Sequence, residues 1–207
     1  MQNNNNGGQH DVIGVYGGAN VPPGTPDYVD AYHLGAELAR AGYAVMTGGY
    51  SGTMEAISHG AAQADGHVIG VTVALFKERG LMPNPFLTEE IHLPTLAARL
   101  NYLIAKPDAY VFLKGGTGTL SELALAWSLM QVAEVPPRPM VLVGPMWRQF
   151  LTDFAAISTV APRDLGLMTL VDSVREVIPT LQAWWASPPP IQLRLGDVLK
   201  TPPSGDR

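Results

Sequence analysis

The chain contains no cysteine. That single absence removes disulfide bridges, thiolate zinc sites, iron–sulfur ligation and a thiol nucleophile together, and it suits a reducing cytoplasm. Charge is also sparse. Only 15% of residues are Asp, Glu, Lys or Arg, and the 13 cations are spread along a chain of formal net charge -5. A protein that wraps a nucleic-acid polymer needs many more Lys and Arg to release phosphate counterions, so the composition argues against such a partner and leaves a small anionic molecule open. No apolar run approaches the roughly 18 residues that span a membrane, so no membrane association is expected. Residues 1–10 are polar and Asn-rich, lacking the basic and apolar regions of a signal peptide, and read as a disordered leader on a cytoplasmic protein.

Further catalytic signatures are missing. His10, His33, His59, His67 and His92 show no H-x-H or H-E-x-x-H spacing, so no metal site is expected. Ser51 and Ser121 lack the G-x-S-x-G elbow of a serine hydrolase. Lys77, Lys106, Lys114 and Lys200 are the only lysines, and none has a context that argues for a Schiff base.

What is present is a regular alternation. At 207 residues and 46% hydrophobic the chain reads as one domain over 11–186, followed by a proline-rich tail over 187–207. Short β-branched runs at 11–17, 43–47, 67–73, 109–113, 139–144 and 168–171 read as strands. Helical periods cover 27–41, with Val29, Tyr32, Ala36 and Ala39 as the apolar stripe, then 53–64, 94–106, 119–133, 146–157 and 173–185. In the helix over 94–106 the stripe is Leu96, Leu100, Leu103 and Ile104, with Arg99 on its edge. Residues 74–93 read as an irregular loop over the sheet, and such long loops are often functional. Trp184, Trp185 and Leu181 read as a packing or subunit contact. Strands and helices in this order predict an α/β fold: a Rossmann-like, doubly wound parallel sheet with helices on both faces, whose ligands sit outside the carboxyl ends of the strands.

Glycine-rich turns follow three of the predicted strands: Gly17-Gly18-Ala19-Asn20, Gly48-Gly49-Tyr50-Ser51-Gly52 and Gly115-Gly116-Thr117-Gly118-Thr119. Paired glycines let backbone amides approach a ligand, and a following helix N-terminus adds unpaired N–H groups and partial positive charge. Any one of them alone reads better as a tight strand-to-helix turn; three at one sheet edge outline an anion cleft. The P-loop motif is absent, and Gly116-x-Gly118 lacks the third glycine of the dinucleotide fingerprint, since position 121 is Ser. A phosphorylated ligand is therefore favoured over ATP hydrolysis or hydride transfer. Thr119 and Glu122 have capping-box spacing, which gives Glu122 a structural reading beside that of a carboxylate facing a sugar. Arg99 is either a snorkelling side chain or a cation at the cleft mouth, paired with Glu122 or a ligand.

The segment Thr47-Gly-Gly-Tyr-Ser-Gly-Thr-Met-Glu-Ala-Ile-Ser-His-Gly-Ala61, with Arg99 and Lys114-Gly-Gly-Thr-Gly-Thr-Leu-Ser-Glu122, resembles the LOG family over about residues 11–180. The founding members of that family are cytokinin riboside 5'-monophosphate phosphoribohydrolases, often mislabelled lysine decarboxylases. The resemblance implies a homodimer that binds a nucleoside 5'-monophosphate across its glycine-rich turns. It further implies hydrolysis of the N-glycosidic bond of AMP or a related purine monophosphate without metal or redox cofactor. On this likeness Glu122 addresses the ribose, Arg99 assists, and the turn from Gly116 to Thr119 cradles the phosphate. Lys114 stands where the family motif has Pro, Gly52-Thr53-Met54-Glu55 replaces the G-L-M-G stretch of the cytokinin-activating branch, and Arg99-Leu100 replaces its Arg-Lys pair. The sequence thus looks like a bacterial side branch, some of whose relatives resemble molybdenum cofactor carriers. A non-catalytic carrier of a nucleotide or phosphorylated pterin is the alternative.

Overall fold

The computed structural model describes residues 11–189. The leader expected over 1–10, and the tail from residue 190 onward, lie outside the described residues. At the centre of a seven-stranded sheet, β1 (Val12–Tyr16) pairs in parallel with β2 (Ala44–Thr47) on one side and β5 (Ala109–Phe112) on the other. Beyond β2 lie β3 (Val68–Val73) and β4 (Glu89–Leu93); beyond β5 lie β6 (Met140–Val143) and β7 (Thr169–Val171). Every neighbouring pair is parallel, and the order is β4-β3-β2-β1-β5-β6-β7. The winding reverses between β1 and β5, which opens a crevice at the carboxyl ends of those two strands.

Alternation along the strands assigns each side chain to a layer. Ile13, Val15, Val45, Val111 and Val141 face α1 (Pro26–Arg40), α2 (Thr53–Gln63) and α8 (Val177–Ala186), burying Leu34, Leu38, Ile57 and Leu181. Tyr16, Met46, Tyr110, Phe112 and Leu142 face the opposite way, onto α4 (Leu96–Ala105), α5 (Thr117–Gln131) and α6 (Pro145–Ile157), burying Leu103, Ile104, Leu123 and Trp147. Each such aliphatic side chain contributes about 1.5–3 kcal/mol by leaving water. The remaining elements are α3 (Ala74–Glu78), α7 (Pro162–Leu165) and a 3-10 turn at Val174–Glu176.

Several expectations need correction. In α1 the buried face runs through Ala31, Leu34, Gly35, Ala36 and Leu38, while Val29 is exposed. Small residues set this face: a Cβ at Gly35 would strike the Ile57 carbonyl, and one at Gly60 the Tyr32 carbonyl, so α1 and α2 touch backbone to backbone. Residues 74–93 are not all loop, because they contain α3 and the strand β4. Glu89, Glu90 and His92 are exposed on β4, a charged edge strand whose alternation is easily mistaken for a loop; charge there blunts edge-to-edge pairing. Leu96, placed in the apolar stripe of α4, is exposed, and Arg99 is buried in its stead. The packing reading of the C-terminal helix, by contrast, fits: Leu181 is fully buried, and Trp185 packs on Tyr43 with ring centroids 5.6 Å apart.

Candidate functional site

The three glycine-rich turns converge at the crevice and are stitched together by their own backbones. The Gly18 N–H donates to the Lys114 carbonyl at 3.0 Å, the Thr53 N–H to the Gly18 carbonyl at 2.9 Å, and the Ser51 hydroxyl to the Ala19 carbonyl at 3.3 Å. They enclose a cleft of about 750 Å³. Gly17, Gly18, Ser51, Gly115, Gly116, Thr117, Gly118 and Thr119 line it, together with Arg99 and Glu122.

Gly48, Gly49 and Gly52, expected among the ligand-binding residues, stand behind that wall. The Gly48 carbonyl accepts from Arg99, the Gly49 N–H donates to Thr47 Oγ1 at 3.1 Å, and Gly52 is the N-cap of α2. From the same turn it is Tyr50 and Ser51 that reach the cleft, followed by Met54.

At the floor, α5 begins at Thr117, two residues before the expected start, with Gly116 as its N-cap and no side-chain cap. The Leu120 N–H makes the first helical bond, to the Gly116 carbonyl at 2.9 Å. The amides of Thr117, Gly118 and Thr119 precede it and have no acceptor within the helix, which makes this end attractive to an anion. The earlier start overturns the capping-box reading: Thr119 is a buried third helical residue, and Glu122 lies beyond the first turn.

Among the described residues the Glu122 carboxylate makes no hydrogen bond and no ion pair within 4.0 Å. It is half-buried on the cleft wall, and burial pushes its carboxyl up to about 7, against the pull of the Arg99 guanidinium. Desolvation disfavours the charged form, and the nearby cation only partly restores it. Beneath it Tyr16 donates to the Leu103 carbonyl at 2.5 Å; burial, with Glu122 adding to it, holds that phenol well above its usual value.

Arg99 does not snorkel, being only 8% exposed. Its Nε donates to the Val71 carbonyl at 2.7 Å and its Nη2 to the Gly48 carbonyl at 3.0 Å. The guanidinium carbon lies 5.7 Å from the Tyr50 ring centroid and 5.8 Å from that of Phe76, within reach of both aromatic faces. Burial lowers its pKa and Glu122 raises it again. The result is a cation fixed by the Val71 carbonyl of β3 and the Gly48 carbonyl just past β2, near enough to Glu122 for each charge to shift the other's titration.

Tyr50, Phe76, Leu81, Met146 and Asp27 also line the cleft and were not singled out in the sequence. Phe76 and Leu81 belong to the 74–93 segment, whose length was the available signal. Asp27 pairs with Lys114 at 3.0 Å, a contact between residues 87 positions apart. Among the described residues no group of three or more His, Cys, Asp or Glu could hold a metal ion, and no helix is long and apolar enough to cross a membrane.

A doubly wound parallel sheet with an anion-attracting crevice and a Gly-Gly-Thr-Gly-Thr-Leu-Ser-Glu turn at its switch point defines a LOG-like Rossmann protein. The chain belongs to the SLOG cluster4 family, whose model matches residues 10–135. It is 28% identical over 155 residues to the cytokinin riboside 5'-monophosphate phosphoribohydrolase of Mycobacterium tuberculosis, covering 72% of this chain and 81% of that one. Among solved structures it is similar to the molybdenum cofactor binding protein of Rippkaea orientalis, with a TM-score of 0.67 and 28% identity over 84% of this chain and 97% of that one. The molybdenum cofactor carrier protein of Chlamydomonas reinhardtii is similar too, with a TM-score of 0.66 and 27% identity over 86% of this chain and 99% of that one.

Proposed function

We propose that the protein is a cytoplasmic, homodimeric phosphoribohydrolase that hydrolyses the N-glycosidic bond of AMP or a related purine nucleoside 5'-monophosphate. The observation that carries this reading is Glu122, a half-buried carboxylate without a protein partner, in the same cleft as the open amides of α5 and the fixed Arg99. Gly116, Thr117, Gly118 and Thr119 receive the 5'-phosphate, with Gly17, Gly18, Ser51 and Gly115 around it; the ribose then faces Glu122. As the C1'–N bond breaks, its electron pair leaves with the base and positive charge develops on the ribose, which the Glu122 carboxylate stabilises. Water adds to C1', one of its protons passing to the carboxylate and on to the departing base. The products are free base and ribose 5-phosphate. Arg99 pulls the Glu122 carboxyl toward its ionised form, offsetting part of the cost of burial.

A second reading is favoured by the two solved relatives described as molybdenum cofactor proteins: the same cleft would hold a phosphorylated pterin without cleaving it. Incubation with paired nucleoside monophosphates and nucleosides, followed by chromatography, separates the two. Base and ribose 5-phosphate released together, and from the phosphorylated member only, supports the hydrolase. Silence across the panel, with thermal stabilisation by a phosphorylated pterin, supports the carrier. Sedimentation at working concentration tests the dimer.

A further inference from the structure

We propose that Lys114 and Asp27 form a charge gate that selects a ligand bearing a phosphate group over its uncharged counterpart; this deepens the phosphorylated-ligand reading above and rests on it. The Lys114 Nζ donates to Asp27 Oδ2 at 3.0 Å, joining the β5–α5 turn to the first turn of α1. Both residues line the cleft, and their side chains are 68% and 48% exposed. An ion pair so well hydrated is held weakly and exchanges partners easily.

Four charged side chains line the cleft among the described residues: Asp27, Arg99, Lys114 and Glu122. Arg99 is tied to two backbone carbonyls and is not free to follow a ligand. Lys114 is the cation with a flexible stem, and it directly precedes Gly115-Gly116 and the open amides of Thr117 to Thr119. A phosphate at that helix end lies within its sweep and, carrying up to two charges, outcompetes a single carboxylate for the ammonium.

Asp27 then does two things. Without ligand it parks the ammonium at the mouth, and it repels any anion that fails to draw Lys114 away. An uncharged nucleoside offers Lys114 no better partner and gains nothing from the exchange. The chain as a whole is acidic, at -5, so a local movable cation is what offsets the repulsion an anion meets on approach.

Calorimetric titration with ribose 5-phosphate, inorganic phosphate and adenosine tests the gate in the unmodified protein, Lys114→Gln and Asp27→Asn. Both side chains are exposed, and thermal melts check that the variants fold. Lys114→Gln should weaken both phosphate-bearing probes by roughly three- to tenfold and leave adenosine unchanged. Asp27→Asn should tighten both phosphate-bearing probes. Phosphate affinities indifferent to Lys114→Gln, or an equal loss for adenosine, would overturn the gate while leaving the anion cleft standing. If neither phosphate-bearing probe binds the unmodified protein, the phosphorylated-ligand reading falls, and the gate with it.

Discussion

Gly48 leaves Arg99 its place. Its carbonyl accepts from the Arg99 Nη2 at 3.0 Å, and a Cβ at position 48 would collide with that same nitrogen. The carboxyl end of β2 therefore sets where a side chain of α4 points, although Gly48 itself stays out of the cleft.

Gly48→Ala should consequently act like a partial loss of Arg99. Overpacking should cost about 1–3 kcal/mol of stability, read by urea denaturation. Base release should fall on the order of tenfold or more in kcat, because misplacing a positioned group raises the barrier steeply. Because the amides of α5 are untouched, affinity for ribose 5-phosphate should change far less. An alanine variant with unaltered turnover would show that the Arg99 position is not critical.

Glu122→Gln keeps the shape of the side chain and removes its charge. Turnover should drop by about 10²–10³-fold. In the unmodified protein kcat/KM should rise with pH and level off above about 7, because the carboxylate is the working form and its pKa is about 7. A rate profile without that inflection, or a Gln variant that turns over normally, would remove Glu122 from the chemistry.

The same substitution should alter stability in a pH-dependent way. Burial raises the Glu122 pKa from 4.5 to about 7, so between those values the folded chain holds more proton than the unfolded one. The folded state is therefore favoured at low pH and loses stability as pH climbs through that window, by at most about 3 kcal/mol. Glu122→Gln removes this loss. Its melting temperature should exceed that of the unmodified protein at pH 8, with the advantage shrinking toward pH 5.

At the contact of α1 with α2, Gly60→Ala should be among the most damaging small substitutions. Its methyl group would meet the Tyr32 carbonyl, and backbone does not yield as a flexible side chain does. A loss of about 2–3 kcal/mol is expected in chemical denaturation. Binding of ribose 5-phosphate should survive wherever the variant remains folded.

Local order was legible in the sequence. Short β-branched runs alternating with helical periods determined the α/β class, because buried parallel strands must be apolar on both faces and joined by crossovers. The glycine turns and the run from Lys114 to Glu122 identified the family from the residues alone. Three matters rested on the tertiary structure. β4 carries charges on an exposed edge, so only its pairing with β3 reveals it as a strand. The start of α5 at Thr117 decided that Glu122 is not a cap, a difference of two residues that propensity does not resolve. The sequence left Arg99 either snorkelling to solvent or facing the cleft, and carbonyls 28 and 51 positions away are what make its burial tolerable. A chain's own pattern encodes which neighbours each residue has along an element, whereas the partners that satisfy a buried charge come from elements distant in sequence and exist only once the sheet has assembled.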